Sequence, residues 1–281
     1  MKISALICVL GLWNATAATA DQQAQDFGEL SRAVEQARLL LENDTQAACT
    51  ALQSVVEAPQ RGPWTGPARL LFAECSLRLD DLDRADRVWA DLAKRGGSAA
   101  YAARYHRAEL LYFRGDFAAA TAALAALATA DLSHDLANDV LALLAVCEEY
   151  ATSDALADLS RAQLLERQGQ SEAADAHWST LEEGADLGLA EWSLLIRAEL
   201  RARQNRLDEA RTLYQRQIAR FPQGEHIVAA HLGLAELYER QGAIEQALKT
   251  CETALLQHPH DARAPEARLH IERLRHLRES G

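Results

Sequence analysis

The sequence predicts an all-α chain, a stack of about six helical hairpins, on three observations. The first is a row of alanines, Ala48, Ala85, Ala120, Ala174, Ala210 and Ala247, with steps of 37, 35, 54, 36 and 37 residues. A recurring step of this length is the mark of helical units that stack on their neighbours. The second is the residue five places before each alanine: Asn43, Asp80, Gly115, Gly169, Asn205 and Gly242. These residue types tolerate the left-handed backbone that ends a helix, so every copy stops a helix at the same offset. The third is composition. Only 6 prolines and 14 glycines occur among 281 residues, and β-branched residues are sparse, so strands have little support.

Each unit shows two further fixed positions. Twelve residues before the alanine stand Gln36, Ala73, Ala108, Ala162, Ala198 and Ala235, small in all copies but the first. Four residues after it stand Leu52, Trp89, Leu124, Trp178, Tyr214 and Cys251, most of them large and apolar. Small residues let two helices approach, and the large one fills the space that remains.

Taken in order, the chain begins with Lys2, an apolar run from Ile3 to Trp13, and Ala18-Thr19-Ala20. That is the layout of a secretory signal peptide over residues 1–20. The run is too short for a membrane span, which needs roughly 20 apolar residues. The expected location is therefore the periplasm, after cleavage before Asp21. Residues 21–134 hold three hairpins, near 27–57, 66–94 and 99–130. Between the first two, Arg61 to Pro67 reads as a loop, with Thr65 as a helix cap and Pro67 in the first turn. The 54-residue step contains one additional helix within 135–154, where Leu136, Val140, Leu143, Leu144 and Cys147 keep helical spacing. Residues 155–261 hold three more hairpins, near 155–184, 188–220 and 226–257. Residues 262–281 supply an arginine-rich capping helix, as terminal repeats need a polar outer face.

The segment His231 to Pro259, with Leu234-Ala235, Tyr238, Gly242, Ala247, Ala254 and Pro259 at matching offsets, resembles the tetratricopeptide repeat family. The resemblance covers roughly Gly28 to Pro259 and implies a right-handed α-solenoid that binds proteins. The stretch Leu207 to Leu269, with its Phe221-Pro222-Gln223-Gly224-Glu225 junction, is similar to repeats of the periplasmic cell-division coordinator of the Tol–Pal system. It is also similar to repeats of the lipoprotein that supports outer-membrane β-barrel assembly. These likenesses imply a scaffold of the cell envelope.

In the tetratricopeptide family, positions 2, 5, 6, 9, 12 and 13 of each unit face a partner-binding groove. Here position 9 carries Glu74, Glu109, Glu199 and Glu236, and position 13 carries Arg78, Arg167, Arg203 and Arg240. The resemblance makes these rows a binding surface. They have a structural reading too: Glu74–Arg78, Glu199–Arg203 and Glu236–Arg240 are i,i+4 pairs in the favourable order, each worth about 0.3 kcal/mol. The third unit breaks the charge pattern with Tyr105, His106, Tyr112 and Phe113, and Trp192 joins from the fifth. Aromatics of this kind serve as interface anchors or as packing against the next hairpin.

The formal net charge of −12, with no basic run, argues against nucleic acid as a partner. Zincin, nucleophile-elbow, phosphate-loop and C-x-x-C patterns are absent, so no enzyme and no cofactor are expected. His258, His260 and Asp261, with His270 beyond them, are the nearest approach to a metal-ligand group. Of the cysteines, Cys49 and Cys75 fall on helices expected to touch and are the one pair considered for a disulfide. The leading expectation is a non-enzymatic periplasmic scaffold that binds envelope proteins during assembly, secretion or maturation. The alternatives are an accessory subunit of an exported enzyme or polysaccharide export machine, and a metal-dependent enzyme centred on His258, His260 and Asp261.

Overall fold

The computed structural model describes residues 28, 31–57, 65–131 and 133–280. The predicted signal peptide, 1–20, lies outside them. The described residues contain helices and no strand, and the chain divides into two compact units, 1–151 and 152–281.

Unit 1 holds α1 (31–41), α2 (Thr45–Glu57), α3 (Thr65–Arg78), α4 (Leu82–Ala93), α5 (Ser98–Phe113), α6 (Phe117–Ala130) and α7 (Ala137–Glu149). From α2 to α7 each helix packs on the next, and α3 also reaches α5. Unit 2 holds α8 (Ala155–Arg167), α9 (Ser171–Glu183), α10 (Leu187–Arg203), α11 (Leu207–Arg220), α12 (Ile227–Arg240), α13 (Ile244–Gln257) and α14 (Ala264–Ser280). There α10 touches α12 and α12 touches α14, so alternate helices line up side by side. The six expected hairpins are α1–α2, α3–α4, α5–α6, α8–α9, α10–α11 and α12–α13, with α7 as the additional helix and α14 following the last hairpin.

Local chemistry accounts for the helix boundaries. Asp80, Gly115, Gly169, Asn205 and Gly242 have φ between 60° and 79°, the left-handed turn that ends the first helix of a hairpin. Asn43 is the exception. The second helices of unit 1 start on aspartates: the carboxylates of Asp44, Asp81 and Asp116 accept from the backbone N–H of Ala47, Arg84 and Ala119 at 2.8, 3.0 and 3.2 Å.

Packing follows the repeat. All six marker alanines are 0 % exposed, and the side chains four residues later, including Trp89, Trp178 and Tyr214, are at most 3 % exposed. The first hairpin departs in one respect. Gln36 is exposed, and Val34 and Ala37 enter the core with Cys49, Leu52, Phe72 and Cys75. A polar residue at the small-residue position is thus avoided by using its neighbour. Cys49, Cys75, Cys147 and Cys251 are buried free thiols. Burial, and then the neighbouring Cys49, push the Cys75 thiol up to about 12. The structure therefore places Cys49 and Cys75 in one core without bonding them.

The junction before α12 is fixed by a buried carboxylate. Glu191 of α10 accepts from the backbone N–H of Glu225 at 3.1 Å and of His226 at 2.7 Å, capping the α12 N-terminus. A Cβ at Gly224 would lie 2.2 Å from a Glu191 oxygen, so a larger residue there would have to displace the capping carboxylate. A second ionic cluster ties α9, α10 and α11 together. Arg197 binds Asp175 at 2.8 Å and also Glu182, while Arg201 reaches Asp175 at 2.6 Å and Arg216 reaches Glu182 at 2.5 Å.

Candidate partner-binding cleft

Four of the residues selected from sequence come together in unit 2. Glu199, Arg203, Glu236 and Arg240 line a cleft of about 330 Å³, whose other walls include Tyr214, Leu232, Gly233, Arg263 and Glu266. Helices α10 and α12 supply the charged rows. Tyr214 of α11 lies beneath, Arg263 joins from just before α14, and Glu266 from its first turn. Gly233 is what lets Tyr214 sit there: a Cβ on residue 233 would be 2.4 Å from the ring and 2.5 Å from the hydroxyl oxygen.

The expected i,i+4 pairing holds in one case. Arg78 donates to Glu74 at 2.9 Å. Arg203 turns instead to Glu166 of α8 at 2.7 Å, and Arg240 donates to the Ala202 carbonyl at 3.2 Å and to Asn205 Oδ1 at 2.9 Å. Arg78 makes the same backward contact, to the Leu41 carbonyl at 3.2 Å. Arg78 and Arg240 therefore staple consecutive hairpins by satisfying carbonyls at the end of the preceding hairpin's first helix, and Arg203 staples them through the Glu166 side chain. Glu199 is left half-buried with no hydrogen bond among the described residues. Burial raises its pKa above the usual carboxylate range, against the pull of Arg203 and Arg263. Burial also raises the Tyr214 phenol, with Glu199 and Glu236 adding to it. The cleft thus presents a poorly solvated carboxyl, an exposed one at Glu236 and the guanidinium of Arg263 over an aromatic floor.

The remaining selected residues lie elsewhere. Arg167 is half-buried at the end of α8, and Trp192 packs edge-on against Trp178 with centroids 5.4 Å apart. In unit 1, His106 stacks on Trp89 at 5.2 Å and its Nδ1 lies 3.1 Å from Glu109 Oε2. Tyr105 is 9 % exposed beside it, and Phe113 is half-buried. Tyr112 has to be corrected as a groove residue. It is 0 % exposed, packed on Phe117 of α6, with Cys147 of α7 close enough to affect its hydroxyl. The ring that the repeat register assigns to the groove is instead buried against Phe113 and Phe117.

Sequence reasoning missed Arg263 and Glu266, because they follow the repeat proper, and Gly233, because its role depends on a tyrosine 19 residues earlier. The metal-ligand grouping does not form. Among the described residues no three His, Cys, Asp or Glu side chains gather as metal ligands, and His270 instead pairs with Glu239 at 2.8 Å. No helix among those residues is long and apolar enough to cross a membrane.

Comparison with known proteins bears on this segment. Residues 201–269, which hold much of the cleft, match the family model of the tetratricopeptide repeat. A comparison with curated proteins found no match. Among solved structures, the tetratricopeptide domain of p58(IPK) is similar at 18 % identity and a TM-score of 0.37, over 93 % of this chain and 68 % of that one. A tetratricopeptide repeat protein from Parabacteroides merdae is similar at 14 % identity and 0.37, over 88 % and 99 %. The C-terminal part of a repeat protein from Cytophaga hutchinsonii is similar at 16 % and 0.33, over 83 % and 98 %.

Proposed function

We propose that this protein is a non-enzymatic interaction scaffold of the bacterial periplasm, and that the unit 2 cleft holds an extended segment of an envelope protein. The observation that carries the binding site is the half-buried Glu199 carboxyl, facing the cleft beside Arg263 and above Tyr214 without a hydrogen bond among the described residues. A peptide supplies both what Glu199 needs, an N–H or a cationic side chain, and a carbonyl for Arg263. Residues 201–269 match a family of generally non-catalytic modules that bind proteins, which supports the scaffold class. The envelope location rests on Lys2, the apolar run Ile3 to Trp13 and Ala18-Thr19-Ala20, and on the likeness of the Phe221–Glu225 junction to periplasmic repeats.

Two measurements test the reading. Intact mass of the protein recovered from a periplasmic extract is expected to start at Asp21; full-length protein in the cytosol would remove the envelope assignment. Affinity capture with the wild type and with a Glu199→Gln, Glu236→Gln double variant tests the cleft. Loss of one specific envelope protein, with an unchanged melting temperature, is expected. Equal capture by both forms would move the binding site elsewhere.

A further inference from the structure

A second surface stands out in unit 1, on the opposite face of α5 from positions 5, 9 and 12. Here α4, α5 and α6 enclose a groove of about 390 Å³, lined by Arg104, Arg107 and Arg114 above Leu111, Ala123 and Ala126. Arg107 binds Asp86 at 2.7 Å and Arg114 binds Asp83 at 2.5 Å, and both arginines remain about two-fifths exposed. Arg104 is exposed and has no carboxylate partner among the described residues. Three guanidiniums against two carboxylates make this patch locally basic, in a chain whose net charge is −12.

One other hairpin shows how the Arg104 position can be closed. In α3–α4, Arg69 occupies the position of Arg104 and binds Asp91 at 2.5 Å. The residue equivalent to Asp91 in α5–α6 is Ala126. In α9–α11, the arginine equivalent to Arg107 is Arg197, which is held by both Asp175 and Glu182. The third hairpin has no acid at residue 126, and the first, with Arg32 and Ser54 at these positions, has none either. Arg107 keeps in Asp86 the counterpart of Asp175, so the unmatched guanidinium is that of Arg104. Ala126 and Ala123 keep the floor low enough for a second helix to approach closely, and α6 carries no charge of its own to meet the arginines.

We propose that this groove docks an amphipathic helix of a partner protein, whose small apolar side chains lie on the α6 alanines and whose carboxylates take the place of the missing acid at Arg104. A carboxylate presented there gains the paired, charge-assisted bonds that Asp91 makes to Arg69. The surface is separate from the unit 2 cleft, so the two readings stand or fall independently.

The test uses the full chain and a labelled synthetic helix, with alanine and leucine on one face and glutamates along its flanks. A matched peptide carries glutamine for every glutamate. By fluorescence anisotropy the acidic peptide is expected to bind the wild type at least tenfold more tightly than the glutamine peptide, and more weakly as salt rises. Ala126→Asp restores the acid seen at Asp91 and is expected to weaken the acidic peptide at least tenfold without lowering the melting temperature. Arg104→Gln, which keeps a polar side chain of similar reach, is expected to weaken it in the same way. Glu236→Gln, in the other cleft, is expected to leave binding unchanged. Equal binding of both peptides, or undiminished binding by Ala126→Asp, overturns the proposal. So does a wild type that binds citrate but neither peptide, which would make the groove a small-anion site.

Discussion

Gly233→Ala is the substitution in which two well-measured effects oppose each other, and the structure decides between them. In an ordinary helix interior the change is favourable by about 1 kcal/mol, because alanine has the higher helix propensity. Residue 233 lies in the middle of α12, where that gain applies in full. The new Cβ, however, would stand 2.4 Å from the ring of Tyr214, which is only 3 % exposed, so the ring must shift. Overpacking of this kind costs about 1–3 kcal/mol. The net expectation is a loss of about 1 kcal/mol, together with displacement of Tyr214 from the cleft floor. Urea denaturation of a double-mutant cycle with Tyr214→Leu isolates the clash. In the leucine background, which lacks the ring atoms in question, Gly233→Ala is expected to become stabilising, giving a coupling of about 1–3 kcal/mol. Additive effects within about 0.5 kcal/mol, or a Gly233→Ala variant more stable than the wild type, would refute the tight fit between α11 and α12.

Three further outcomes follow from named contacts. Glu191→Leu, which leaves the backbone N–H groups of Glu225 and His226 without their buried acceptor, is expected to cost about 3 kcal/mol in urea denaturation. Arg240→Ala removes the staple to Ala202 and Asn205 and is expected to cost about 1 kcal/mol, since the side chain is exposed. His231 is buried with both ring nitrogens unpartnered among the described residues, and burial, then the neighbouring His258, lower its pKa from 6.5 to about 4. The unfolded chain takes up this proton first as pH falls, so stability present above pH 6.5 is lost down to about pH 4, by roughly 3 kcal/mol. His231→Leu is expected to remove that part of the pH dependence, as read from urea midpoints at pH 7 and pH 4.5.

The features legible in the sequence are those set by short-range chemistry. Gly115, Gly169 and Gly242 announce left-handed turns by themselves. Ala85 or Ala174 needs only to be small to lie where two helices cross. Each signal recurs at a fixed offset, so one copy supports the next. The details that escaped depend on which of several partners a long side chain selects. Arg203 has Glu199 four residues away, yet it pairs with Glu166 across the stack, 37 residues back. Tyr112 sits at a groove position by register but is buried against Phe113 and against Phe117 of the next helix. Glu191 falls among the buried residues of α10, and only the folded junction shows that its carboxylate caps another helix.

The central claim, that the unit 2 cleft holds a partner in the cell, is tested most directly by site-specific photo-crosslinking in the living organism. A photoreactive side chain at residue 236, exposed at the cleft, is compared with one at residue 256, an exposed leucine position on α13 that does not line it. One discrete adduct with an envelope protein is expected from position 236, none from position 256, and loss of that adduct when Glu199→Gln is added. No adduct at 236, or the same adducts from both positions, would contradict the claim.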